Sequence, residues 1–178
     1  RSGEIVAIPT ETVYGLAANA LDEKAVVKIF EAKNRPAFDP LIVHVSAVSE
    51  FEKHAQNIPD FVLKLAEKVC PGPVTFVLDK KSIIPDLVTS GHQTVGLRVP
   101  NHQLTLQLLQ SLDFPLAAPS ANPFGFVSPT NAQHVNDQLG NKLPYILEGG
   151  SCAVGIESTI LDFSRGNKKV LRLGGMSL

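Results

Sequence analysis

Short apolar runs at residues 5–8, 41–45, 74–78 and 95–99 constrain this chain more than any other feature, and a proline borders each of them (Pro9, Pro40, Pro73, Pro100). Four or five residues are too few for a stable helix, so each run reads as a strand buried on both faces. Between them the apolar period lengthens. Asp22 caps an expected helix over 23–33, with Ala25, Ile29 and Ala32 on one face and Pro36 closing it. Residues 59–68 predict a second helix, with Phe61, Val62, Leu65 and Ala66 turned inward. Asn101 caps a third over 102–111. Thr130 with Gln133 forms a capping box for a fourth, reaching Leu139. Further strands are expected at 116–118, 145–147, 159–162 and 170–173.

Helices and strands alternate early and strands dominate late. That order predicts an α/β fold: a twisted mixed parallel/antiparallel sheet with helices packed on it. The 178 residues, 44% of them hydrophobic, suffice for a single domain over 1–178, and no linker-like segment divides them. No apolar run is long enough to span a bilayer. Sixteen Lys and Arg stand against seventeen Asp and Glu, which argues against a uniformly nucleic-acid-binding surface but leaves room for a local basic hollow. Cys70 and Cys152 have no metal-site or redox spacing, as expected of a reduced, cytoplasmic protein.

Period-two alternation tells which side chains leave the core. Leu41, Val43 and Val45 share one strand face, which puts His44 with Ile42 on the other. By the same count Arg98 points away from Val95, Leu97 and Val99, and Arg172 lies with Val170. Three strands therefore each place one polar head off the core, and if the faces coincide the heads converge. Each also has a plainer account. His44 could be a hydrogen-bonded core histidine, Arg98 and Arg172 could be in ion pairs or at an exposed edge, and Lys33 and Arg35 could be a solvated helix end. Ser120, Asn122 and Ser128 follow a strand and precede a helix, a junction suited to anionic oxygens or simply to turn chemistry. No Walker loop, dinucleotide fingerprint, HExxH pair or nucleophile elbow occurs, which argues against a covalent intermediate and requires a different cradle for any nucleotide.

Taken in order, P-T-E-T-V-Y-G-L from Pro9, K-N-R-P from Lys33, P-L-I-V-H-V from Pro40, P-G-P-V-T from Pro71, G-L-R-V-P from Gly96, A-P-S-A-N from Ala118, E-S-T-I from Glu157 and L-R-L-G from Leu171 cover nearly the whole chain. The sequence thereby resembles the YrdC-like domain family, specifically its threonylcarbamoyl-AMP synthases. That resemblance implies a concave, positively lined cleft. It also implies a nucleotidyltransferase that makes L-threonylcarbamoyladenylate and pyrophosphate from L-threonine, bicarbonate and ATP with Mg²⁺, the phosphates rather than protein ligands carrying the metal. A downstream transferase complex would pass the product to tRNA.

Carried over by motif position, Thr12, His44, Arg98, Ala118 and Ser158 would contact threonine. Lys33, Arg35, Asp39, Thr94, Ser120, Asn122, Ser128 and Arg172 would surround ATP, with Lys33 and Arg35 as the electrostatic catalysts. Asp39 stands where many relatives carry Asn, and a carboxylate there repels ATP unless a metal intervenes. Both ends look incomplete against relatives, and the second C-terminal domain of longer ones is absent. Arg98→Ala is expected to abolish turnover and spare the fold. Two other readings use the same motifs: a double-stranded RNA or tRNA-binding module without turnover, and the carbamoyl-adenylating domain of a hydrogenase-maturation protein. Near-even charge counts against the first, and the absence of paired CxxC motifs counts against the second.

Overall fold

The computed structural model describes residues 2–34 and 39–176. The first half of the chain contains β1 (Val6–Ile8), β2 (Gly15–Asn19), α1 (Glu23–Lys33), β3 (Ile42–His44), α2 (Phe51–His54), β4 (Ala55–Gln56), α3 (Asp60–Val69) and β5 (Val74–Lys80). The second half contains α4 (Asp86–Thr89), β6 (Thr94–Arg98), α5 (Gln103–Gln110), β7 (Leu116–Ala117), α6 (Ala132–Leu139), β8 (Thr159–Asp162) and β9 (Lys169–Arg172). One mixed sheet runs in the order β1-β2-β7-β3-β6-β5-β8-β9, and β4 pairs with β5. The β3/β6 and β5/β8 pairs are parallel and the other pairs antiparallel, so the mixed α/β expectation holds.

Helix α1 shows why the sequence folds as it does. The Asp22 carboxylate accepts from the Lys24 and Ala25 N–H groups, and Asn34 ends the helix at φ 50°, where asparagine is at ease. Ala25, Val26, Ile29 and Phe30 bury the inward stripe, and full burial of a side chain the size of Ile29 contributes about 1.5–3 kcal/mol. The closing role given to Pro36 falls outside the described residues. Strands β3, β5 and β6 bury Val43, Phe76, Leu78, Val95 and Leu97 against the helices, as their alternation required. Among the described residues no helix is long and apolar enough to cross a membrane.

Several expectations need correction. Gly15–Asn19, to which no element was assigned from sequence, is a strand between β1 and β7. Residues 145–147 form only a bridge from Ile146 to Ala7, held by Ala7 N–H to the Tyr145 carbonyl and Leu147 N–H to the Ala7 carbonyl. Asn131, not Thr130, caps α6, its side chain accepting from the His134 N–H. His102 takes the cap position of α5 without a side-chain bond, so Asn101 does not cap it. Phe61 is 45% exposed, not inward; its ring meets Phe163 edge-on at 5.7 Å, and the Lys168 ammonium lies 5.0 Å from its centroid.

Candidate active site

Register decides whether the three polar heads converge. Side chains matched across neighbouring strands share a face. His44 is paired with Arg98 and Ile42 with Gly96. Gly96 in turn is paired with Val77, Thr75 with Ile160, and Ile160 with Arg172. His44, Arg98 and Arg172 therefore project from one face of the sheet. Over that face lies a cavity of about 490 Å³ whose lining includes Thr75, Thr94, Gly96, Ser120, Ile160 and Arg172. This volume falls within the usual range for small-molecule sites. Gly96 keeps the floor open: a Cβ there would sit 3.2 Å from Thr75 Cγ2.

Beside the cavity is a buried polar layer. Arg98 Nη2 donates to Thr12 Oγ1 at 2.9 Å and lies 2.8 Å from Glu11 Oε1. Arg98 is thus in an ion pair, one of the plainer accounts, with a partner that the sequence reading did not single out. The Thr12 hydroxyl is shared with Thr10 Oγ1 at 2.9 Å, and Thr10 Oγ1 also accepts from the Thr12 and Val13 N–H groups. Loop 150–155 straps this turn, through Val154 N–H to the Glu11 carbonyl and Gly155 N–H to the Thr12 carbonyl. His44 is buried, and burial, reinforced by the Arg98 charge, lowers its pKa to about 3. At neutral pH it is an uncharged ring with Nδ1 3.3 Å from the Ile42 carbonyl oxygen.

A second arginine stands across the cavity. Arg172 donates from Nε to the Ser158 carbonyl at 2.9 Å and from Nη2 to Ser158 Oγ at 3.2 Å; Ser158 Oγ and Thr75 Oγ1 are 2.9 Å apart. Burial lowers the Arg172 pKa, the Glu157 carboxylate opposes that, and the charge of Arg98 adds to it, so the two guanidinium groups feel each other. Glu157 Oε2 lies 3.8 Å from Arg172, while its Oε1 accepts from Ser128 Oγ at 2.7 Å.

The expected site residues do not all meet in one place. Asp39, Thr94, Ser120 and Arg172 line the cavity. Thr12, His44, Arg98 and Ser158 form the buried layer, and the Ala118 N–H is committed to the Ile42 carbonyl at 2.9 Å. Lys33 and Asn122 brace the 119–126 loop instead of lining the cavity. Lys33 Nζ, buried, donates to the Ser120 carbonyl at 2.5 Å and to that of Asn122, and Asn122 Nδ2 donates to the Phe126 carbonyl at 2.6 Å. Ser128 reaches the site only through Glu157, and Arg35 lies outside the described residues. Among the described residues the cavity lining carries Arg172 and His92 together with Asp39, Glu157 and Asp162. Glu11, Thr75, Gly96 and Glu157 all lie inside motifs quoted above, but no periodicity marks them.

Burial lifts the Cys70 and Cys152 thiols to about 11, so neither is a ready nucleophile at neutral pH. The described residues hold no cluster of three His, Cys, Asp or Glu side chains fit for a metal ion. What the site does offer is two arginines, a neutral imidazole and several hydroxyls around one pocket, an arrangement suited to binding anions rather than to acid–base relay.

Comparison with known proteins points the same way. The Sua5/YciO/YrdC family model, described as telomere recombination, matches residues 1–174. The threonylcarbamoyl-AMP synthase of Pyrococcus abyssi is 47% identical over 178 residues, covering 100% of this chain and 52% of the relative. The enzyme of that name from Pseudomonas savastanoi is 31% identical over 174 residues, covering 98% of this chain and 92% of the relative. The crystal structure of Pyrococcus abyssi Sua5 complexed with L-threonine matches with a TM-score of 0.94 at 46% identity, over 97% of this chain and 51% of that one. The chain spans about half the length of the Pyrococcus relative. Motif order, sheet topology and these likenesses agree, and the chain belongs to the Sua5/YciO/YrdC family.

Proposed function

We propose that this chain forms L-threonylcarbamoyladenylate and pyrophosphate from L-threonine, bicarbonate and ATP, the first step of tRNA threonylcarbamoyladenosine modification. The observation that carries the reading is the shared face of His44, Arg98 and Arg172 beside one 490 Å³ cavity. The names of its relatives and the threonine complex of the Pyrococcus protein supply the chemical class.

In this reaction the threonine ammonium and bicarbonate give a carbamate, a water and a proton. A carbamate oxygen then bonds to the α-phosphorus of ATP as the bond to pyrophosphate breaks. Both reactants are anions, so their mutual repulsion is the main obstacle, and fixed cations are what the step requires. In this proposal Arg98 holds the threonine carboxylate and leaves the amine free. Thr12, His44, Ala118 and Ser158 surround the rest of the amino acid, and neutral His44 adds no charge that would compete with Arg98 for the carboxylate. Arg172, Thr94, Ser120, Asn122, Ser128, Lys33 and Arg35 serve the nucleotide, directly or by bracing its loop.

Mg²⁺ on the triphosphate would neutralise charge and help pyrophosphate leave. The phosphates would carry the ion, and Asp39, which lines the cavity, would repel the triphosphate unless that ion intervened. Rejecting serine depends on one methyl group, worth about 1–3 kcal/mol, so discrimination should be modest. On this reading tRNA is met indirectly, through a transferase that takes the adenylate, and the setting is the cytoplasm. Pyrophosphate release that requires both L-threonine and bicarbonate supports the proposal; release indifferent to threonine refutes it.

A further inference from the structure

Among the described residues, Glu11 carries a buried carboxylate for which the proposed reaction has no use. Its side chain is 7% exposed, and neither oxygen has a hydrogen-bond partner despite the 2.8 Å approach of Arg98 Nη2. Nothing in the turn needs a charge there. The threonine hydroxyls and loop 150–155 already satisfy the local backbone, and the bond from Val154 goes to the Glu11 main-chain carbonyl. Isolated burial of a carboxylate is costly, so the position makes physical sense only through Arg98.

Arg98 is constrained on one side alone. Its Nη2 meets Thr12 and Glu11, while its Nε is buried without a partner. A guanidinium held at one corner by Thr12 and Glu11 takes its orientation from them, and its Nε is as closed off from solvent as the Glu11 oxygens.

We propose that Glu11 is a positioning residue for amino-acid binding: its charge holds the Arg98 guanidinium in the orientation that clamps the substrate carboxylate. It never touches the substrate, because both of its oxygens are closed off from solvent. Its charge also offsets that of Arg98 before substrate binds, so the two arginines are not left as uncompensated neighbours. The inference rests on the reading of Arg98 as the carboxylate clamp and extends it to a residue outside the expected ligand set.

The test is threonine-dependent pyrophosphate release by Glu11→Gln, Glu11→Asp and Arg98→Lys, with KM for threonine and for ATP measured separately. Glu11→Gln keeps the shape and removes the charge. It should raise the threonine KM at least tenfold and leave the ATP KM within twofold. Glu11→Asp keeps the charge on a shorter arm and should fall between Glu11→Gln and the parent. A role in packing alone predicts the reverse order, with isosteric Gln the milder change.

A threonine KM unchanged in Glu11→Gln, equal rises in both KM values, or Asp worse than Gln overturns the inference. If Glu11→Gln does not fold, Glu11→Asp is read alone. A selective rise in threonine KM then supports the inference, and no rise or an equal rise in both KM values refutes it. Arg98→Lys separates the two levels: an unaltered threonine KM in that variant sinks the amino-acid reading itself, whatever Glu11 does.

Discussion

Replacing Arg98 with Ala would leave the Glu11 carboxylate buried and alone. The two side chains are 4% and 7% exposed, so solvent does little to screen the loss. Neither Glu11 oxygen has a hydrogen bond to fall back on. Removing one member of such a pair costs about 3–5 kcal/mol. For a domain of this size each kcal/mol moves Tm by roughly 2–4 °C, so Arg98→Ala should melt roughly 6–20 °C below the parent. This revises the expectation from sequence that the variant would keep its fold unharmed. The paired variant Arg98→Met with Glu11→Leu removes both charges and keeps most of the volume. It should recover most of the lost stability, since buried pairs replaced by apolar residues are often neutral. Thermal melts of the parent, the single and the double variant form the assay. A single variant melting within about 2 °C of the parent, or a double variant no better than the single, would refute a buried charge pair.

Other outcomes follow from the same geometry. Gly96→Ala puts a methyl 3.2 Å from Thr75 Cγ2, an overpacking cost of about 1–3 kcal/mol partly offset by a gain of about 0.4–1 kcal/mol from a stiffer unfolded chain. The fold should survive, while the displaced Thr75 and Ser158 raise the threonine KM several-fold; steady-state kinetics beside a melt reads both. Lys33→Met strips the donor from the Ser120 and Asn122 carbonyls, at about 1–3 kcal/mol for each unsatisfied group, and should speed amide exchange at Ala121 and Phe124. The pKa of His44, lowered to about 3, lies below that of an unfolded histidine. Stability is therefore full above about pH 6.5 and falls as pH drops toward 3, because only the unfolded chain takes up the proton. Melts between pH 7 and pH 4 should show a shallower loss in His44→Gln than in the parent; equal slopes would place the acid sensitivity elsewhere, for instance at His54, whose pKa burial also lowers.

Much of this was legible in the sequence, for identifiable reasons. Helix α1 and strand β8 match their expected limits, because a capping aspartate and a run of buried positions act locally. The alternation that set His44 and Arg98 off the core was sound. On β9 it was not, because a register shift pairs Val170 with Leu161 and leaves Leu171 and Leu173 exposed, and only the pairing of Arg172 with Ile160 puts that arginine on the shared face. What could not be read is what depends on distant chain segments. The β2 strand is held by β1 and β7, whose pairing overrides the weak strand preference of Gly15 and its alanines. Phe61 finds its partner in Phe163, about a hundred positions away, so a helical wheel alone misplaced it. Glu11 drew no notice in the sequence, since only the fold brings Arg98 to it. Lys33 looked like a free ligand at a helix end, and the fold turns its ammonium onto two carbonyls of the 119–126 loop.

The central claim is one anion-binding face, and an NMR titration of the isotopically labelled chain with L-threonine locates the site most directly. Amide shifts should concentrate at Thr12, Ile42, His44, Gly96, Arg98 and Ser158 and be lost in Arg98→Lys. Shifts gathered on the opposite face of the sheet, or unchanged by that substitution, would contradict the account.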